Sequence, residues 1–145
     1  MKNVITQLNQ IQSDAHAMFV KVHNYHWNVK GMQFYAIHNK TEEIYNDMAT
    51  LYDDMAERAI QLGGQAVLSM SEIIKITRIE EEKENNFDAK SVVSSLIKDF
   101  EYLKGAFETL SHVAEEAGAK TTVAMADEKI ARFEKELWMM KASLA

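Results

Sequence analysis

Residues 26–57 read HWNVKGMQFYAIHNKTEEIYNDMATLYDDMAE, a stretch that joins helical periodicity to an unusual set of polar side chains: His26, His38, Glu42, Asp53 and Glu57. From Tyr35 onward, Ile37, Ile44, Met48, Leu51, Met55, Ala59 and Leu62 fall on one helical stripe. That pattern predicts a single helix beginning around Tyr35 and stopping at the Gly63-Gly64 pair. On such a helix His38/Glu42 and Asp53/Glu57 are i,i+4 pairs, each stacked on one face and each able to grip a metal ion. The two pairs are fifteen residues apart, about 22 Å at a rise of roughly 1.5 Å per residue. One copy of the helix therefore cannot wrap both pairs around the same ion. A second copy lying antiparallel across a two-fold axis could, because it would bring the Asp/Glu end of one helix to the His end of the other.

Ahead of this stretch, Val4, Leu8, Ile11, Ala15, Met18, Val22, Tyr25 and Val29 recur at steps of three and four, the period of a helix with one buried stripe, ending near Gly31. Its histidines His16 and His23 read first as polar-face or interface residues, and His23 and His26 are i,i+3 and able to pair on a metal. His26 stands apart because Trp27 follows it and His38 lies just beyond a turn.

Behind it, Gly63 to Asp88 form a long crossing. Ser69 and Glu72 have capping-box spacing ahead of Ile73, Ile74 and Ile76, which predicts a short extra helix with an apolar face. The run RIEEEKENN, residues 78–86, has no apolar period after Ile79 and is expected to be an exposed connector. A third long helix should run from Ala89, with Asp88 as N-cap, through Val92, Leu96, Phe100, Leu103, Phe107, Leu110 and Val113 to Gly118. A fourth begins at Thr121 or Thr122 and carries Val123, Ala126, Ile130, Phe133, Leu137, Met140 and Leu144. Short links make the first two and the last two helices antiparallel neighbours, and the long crossing returns the chain along the bundle. The expected fold is all-α: a ferritin-like four-helix bundle with one long crossover between its second and third long helices, carrying a short extra helix.

Composition agrees. There is no proline, and there are only five glycines, which favours helices over strands and turns. A chain of 145 residues makes one domain, expected to span residues 1–145, that buries about two thirds of its unfolded surface. The lack of cysteine excludes disulfides, zinc–thiolate sites and thiol catalysis. No apolar run approaches the roughly 20 residues of a membrane span, and the N-terminus has no signal-peptide core, so a soluble, cytoplasmic protein is expected. A net charge of −6 argues against nucleic-acid binding through the bulk surface and suits cations better. The Glu-x-x-His pair of di-iron bundles occurs nowhere. On the last two long helices the only histidine is His112, beside the apolar face. A site inside one bundle is thus disfavoured, and the ligands of the first two helices must look outward to another subunit.

The segments HNYHWNVKG (23–31), AIH (36–38), DDMAER (53–58) and QLGG (61–64) resemble the signature of the Dps family, the DNA-protecting proteins of starved cells, also called miniferritins. The resemblance covers essentially the whole chain, including the short crossover helix and the Leu137-Trp138 pair. It implies a twelve-subunit hollow shell with ferroxidase sites at two-fold dimer interfaces. Histidines of one subunit, here His26 and His38, would meet carboxylates of another, here Asp53 and Glu57. These four are the expected catalytic and metal-binding residues. Glu42 joins them as a fifth metal ligand, where the family often has Asp; its longer side chain keeps the charge and ligates directly, through water, or not at all. The implied chemistry is oxidation of Fe(II), with up to two irons per site and hydrogen peroxide as preferred oxidant, and storage of a ferric mineral core. Trp27 is a candidate electron donor when iron is short, and equally a packed interface aromatic. Asp127 or Glu128 are candidates for an iron-entry pore. The chain opens MKNVITQ and ends KASLA, so DNA binding through a Lys-rich tail is not expected, and DNA contact or nucleoid association is expected only through a local basic patch on the shell. The competing reading is a DNA-compacting or interaction shell with vestigial ferroxidase activity.

Overall fold

The computed structural model describes all 145 residues as five helices. These are α1 (Lys2–Asn28), α2 (Phe34–Gln61), α3 (Met70–Ile76), α4 (Ala89–Glu116) and α5 (Lys120–Leu144). The apolar stripes read from the sequence are the buried ones: Val4 through Val29 on the first segment, Ile44 to Ala59 on α2, Val92 to Leu110 on α4, and Ala126, Phe133, Leu137 and Met140 on α5. Together they form one continuous core. Helices α1 and α2 pack together, as do α4 and α5; α1 also packs on α4 and carries α3 on its outer side. The fold is all-α and matches the ferritin-like expectation, with the crossover between α2 and α4.

The helix ends follow their local chemistry. Ser69 accepts a hydrogen bond from the Glu72 amide at 3.3 Å and donates to the Glu72 carboxylate at 3.0 Å, starting α3 as its capping spacing predicts. Asp88 accepts from the Ser91 amide at 2.8 Å, and that bond holds its carboxyl below the usual range. Helix α2 stops where Gly63 turns to φ +85, a left-handed conformation that glycine adopts without a Cβ clash. At Gly64 a Cβ would come within 2.7 Å of the Ile5 side chain, so the second glycine permits the close approach of α1.

Three expectations need correction. The first helix ends at Asn28, not near Gly31, because Val29 turns extended (φ −69, ψ 142) and forms an isolated parallel bridge with Phe87. Lys30 N–H donates to the Phe87 carbonyl at 2.8 Å, which trades a helical turn for an anchor on the end of the crossover. The 78–86 run is also more than an exposed connector. Ile79 is buried, Asn24 donates to the carbonyls of Glu82 and Glu84, and Tyr25 donates to the Glu82 carboxylate at 3.0 Å. The last helix starts at Lys120, one residue ahead of Thr121, and its Thr122 is buried, accepting from Arg58 Nε at 3.0 Å.

Helix α1 grips the whole crossover with polar side chains. Gln12 makes a two-way amide pair with Val67, donating to its carbonyl at 3.0 Å and accepting from its N–H at 2.9 Å. Asp14 is fully buried. Its carboxylate accepts from Thr77 Oγ1 at 2.8 Å, Arg78 N–H at 2.9 Å and Tyr102 Oη at 2.6 Å, with Gln10 Nε2 also in reach. A buried carboxylate is tolerated when its lone pairs are this fully occupied. The effect is to fix the outer face of α1 against the crossover.

Candidate metal centre

His26 lies in the last turn of α1 and His38 in the second turn of α2, and the five residues between the helices fold the two rings face to face. Their centroids are 3.6 Å apart with planes 18° from parallel. The arrangement is locked reciprocally: His26 Nδ1 donates to the His38 carbonyl at 2.8 Å, and His38 Nδ1 donates to the His26 carbonyl at 2.8 Å. A carbonyl only accepts, so both Nδ1 atoms must carry the proton, and each neutral ring keeps its Nε2 lone pair free. That is the tautomer a metal-binding histidine needs, set by partners behind the ligand. Thr41, buried one turn along α2, donates to the carbonyls of Ile37 and His38, and its oxygen lies 3.1 Å from His26 Nδ1.

The electrostatics point the same way. Burial pushes the His26 imidazole below the usual histidine range, and a proton on the neighbouring His38 would push it further. The backbone hydrogen bond with His38 and the nearby Glu42 carboxylate oppose the shift without reversing it. At neutral pH His26 is therefore uncharged, as close ring stacking and coordination both require.

Asp53, Glu57 and Glu42 are exposed on α2. Asp53 and Glu57 sit on one face a turn apart, about 22 Å along the helix from His38. Within one chain no three His, Asp or Glu side chains approach closely enough to hold a metal ion. The structure thus brings His26 and His38 together and leaves the carboxylate pair at a distance on the same helix. His112 is exposed and pairs with Glu116 of its own helix. Asp127 and Glu128 are exposed, and Asp127 accepts from Ser111 at 2.7 Å.

Trp27 is 66% exposed and does not pack into the core; its ring lies 5.4 Å from that of His23. It borders a groove of about 550 Å3 between α1 and α3, whose apolar wall includes Val20, Met70, Ile73 and Ile74. Three supporting residues escaped the sequence reading: Thr41, Tyr45 and Phe34, the last stacked on the outer face of His38 at 5.0 Å. Thr41 and Tyr45, three and seven residues after His38, repeat its helical face, and this periodicity was the signal available for them.

A ferritin-like domain model matches residues 5–145. The DNA protection during starvation protein of Helicobacter pylori is 44% identical over 138 residues, covering 95% of this chain and 96% of that protein. The chain belongs to the Dps family. Among solved structures, Helicobacter cinaedi CAIP superposes on this Dps-family chain with a TM-score of 0.97 at 42% identity, covering 98% of this chain and 99% of the other. A Dps protein from Vibrio cholerae, described as a member of a broad superfamily of ferritin-like diiron-carboxylate proteins, gives 0.94 at 29% identity over 99% and 90% of the two chains. The middle of this bundle is filled by Met18, Met48, Met55 and Phe107, while His26 is buried at the end of α1 and Glu42, Asp53 and Glu57 are exposed on α2. No helix of the chain is long and apolar enough to cross a membrane.

Proposed function

We propose that this Dps-family chain is a ferroxidase that oxidises Fe(II), preferably with hydrogen peroxide, at sites shared between two copies. Its whole length, residues 1–145, acts as one ferritin-like domain in the cytoplasm, in a shell of twelve subunits that stores the ferric product as mineral. The reading rests on one observation above others, the reciprocal His26/His38 lock, which presents two free Nε2 donors with no carboxylate of the same chain to complete them. A second copy, antiparallel across a two-fold axis, supplies Asp53 and Glu57 to that histidine pair and receives the same in return. The apolar groove between α1 and α3 gives that copy a surface to bury.

Each residue then has a role. Asp53 and Glu57 give hard oxygen donors that favour Fe(III) over Fe(II), lowering the cost of electron loss, and Glu57 can bridge two irons. Imidazole nitrogens of His26 and His38 suit the ferrous substrate. Glu42, exposed one turn beyond His38, attracts the cation or ligates it. Two Fe(II) give one electron each to hydrogen peroxide, which takes up two protons and leaves as two waters, so no hydroxyl radical is released. Removing Fe(II) and peroxide together protects DNA without a need to bind it.

The test is subunit mixing. His26→Ala and Asp53→Ala homo-oligomers should each lose peroxide-dependent Fe(II) oxidation in stopped flow. In a mixed two-fold pair, one site carries both lesions and the other carries none, so verified mixed oligomers should regain activity. Absence of recovery would rule out shared sites.

A further inference from the structure

Between the two half-sites of one chain, the α1/α2 seam is lined with aromatic rings in near contact. Tyr52, the neighbour of Asp53, lies 5.1 Å from the His16 ring, which is 6.3 Å from Phe19. Phe19 approaches Tyr45 at 6.1 Å. Tyr45 stacks on His23 at 3.8 Å and meets the His26 ring edge-on at 5.1 Å, and His26 stacks on His38. Two further tyrosine hydroxyls are tied to carboxylates, Tyr25 to Glu82 and Tyr102 to Asp14. Tyr25 has Phe87 as its ring neighbour and stands off this row. Tyr45 is the oxidisable ring at the centre of the row, and through His23 it is joined to Trp27.

We propose that this row is an electron route that connects the histidine half-site at one end of the chain to the carboxylate half-site at the other, with Tyr45 as its redox-active stop. The inference rests on the shared-site reading above, in which each end of the row borders a different iron site of the same two-fold pair. Tunnelling falls off exponentially with distance, so a span of about 22 Å is crossed usefully only by stopping at an oxidisable ring between the ends, which Phe19 and the histidines are not and Tyr45 is. One site's Fe(II) gives one electron to peroxide. Tyr45 gives the second, losing its phenolic proton to water and becoming a tyrosyl radical. Fe(II) at the other site then reduces that radical, which regains a proton. The sum is two Fe(II), one hydrogen peroxide and two protons going to two Fe(III) and two waters, so the route completes the reaction where a site holds one iron instead of two.

Two measurements test this, the first without iron. In metal-free protein, azide radicals made by pulse radiolysis oxidise tryptophan. The tryptophanyl radical should pass to tyrosine in a step independent of protein concentration, since Tyr45–OH can reduce the Trp27 radical. That step should vanish in Tyr45→Phe and Trp27→Phe and persist in Trp138→Phe and Tyr35→Phe. The second uses mixed oligomers of His26→Ala and Asp53→Ala, with one Fe(II) per intact site. There the second site is empty, so peroxide should strand a tyrosyl signal in electron paramagnetic resonance. The fully loaded wild type should lack that signal, as should mixed oligomers carrying Tyr45→Phe. Unchanged radical transfer in metal-free Tyr45→Phe, or no stranded radical in the mixed oligomers, overturns the route. If Fe(II) oxidation itself survives those results, the ferroxidase reading stands and only the route falls; if the wild type does not oxidise Fe(II), that reading fails while the metal-free result still judges the row of rings.

Discussion

At the scale of single residues, the histidine pair couples stability to protonation. His26 must be neutral to stack on His38 and to keep its lone pair free, and burial holds its pKa below the unfolded value near 6.5. A base whose folded pKa is depressed binds fewer protons in the folded state. Its contribution to stability is therefore complete above about pH 6.5 and is lost as pH falls through that value toward the lower folded pKa. Urea midpoints of metal-free protein should decline between neutrality and pH 5 more steeply in wild type than in His26→Gln. Parallel profiles for the two proteins would show that His26 is not held neutral by the fold. The residues of this site were legible in sequence, since HNYHW and AIH name both histidines. Their lock was not, because it runs through backbone carbonyls, which carry no sequence signature. Periodicity places Thr41 on the face of His38, but not its approach to His26 Nδ1, since a threonine on a helix more often bonds only its own preceding turn.

At the scale of elements, the long helices followed from their apolar stripes, with ends within three residues of those expected, whereas the attachment of the crossover did not. Asp14 and Gln12 look like ordinary polar-face residues of α1, yet both are buried and hold segments more than fifty residues away. Val29 leaves the helix for a similar reason, pairing with Phe87 at long range. Such contacts depend on which surface the crossover lies against, a tertiary fact that periodicity does not encode. The pair joining α1 to α4 is of the same kind: Lys21 Nζ lies 2.7 Å from Asp99 Oδ2, with the side chains only 9% and 7% exposed. Burial raises the Asp99 carboxyl above its usual range even beside this cation, so the pair is expensive to desolvate. Lys21→Met should cost about 3–5 kcal/mol because it strands a buried carboxylate, while Lys21→Met with Asp99→Leu should recover most of that loss. Urea unfolding of both variants at pH 7 measures the difference. Equal destabilisation of the single and double variants would mean that packing around the lysine stem, not its charge, holds α1 to α4.

At the scale of the whole molecule, the fold class and the crossover were legible in the sequence, and the offset between His38 and Asp53 raised the expectation of more than one copy of the chain. A surface for a second copy was not legible, because Ile74 read as part of the short helix's ordinary apolar face, and only the fold shows that it stays outside the core beside the exposed Val20 and Met70. Ile74 is 64% exposed on α3, in the wall of the groove that Trp27 borders. An apolar surface of this kind rimmed by Lys21, Glu81 and Glu82 is the sort a protein partner covers. A charge placed in its centre would have to be buried unpaired in any assembly that uses it. Ile74→Glu should therefore leave the chain helical by circular dichroism, lower its native mass, and reduce peroxide-dependent Fe(II) oxidation toward the level of His26→Ala. All four proposed ligands would still be present in that variant. Their failure to act would come from separation alone, which single-ligand substitutions cannot isolate. If Ile74→Glu keeps the native mass of the wild type, the groove is not the contact. If it dissociates and still oxidises Fe(II) at the wild-type rate, one chain suffices and the two-copy site is wrong.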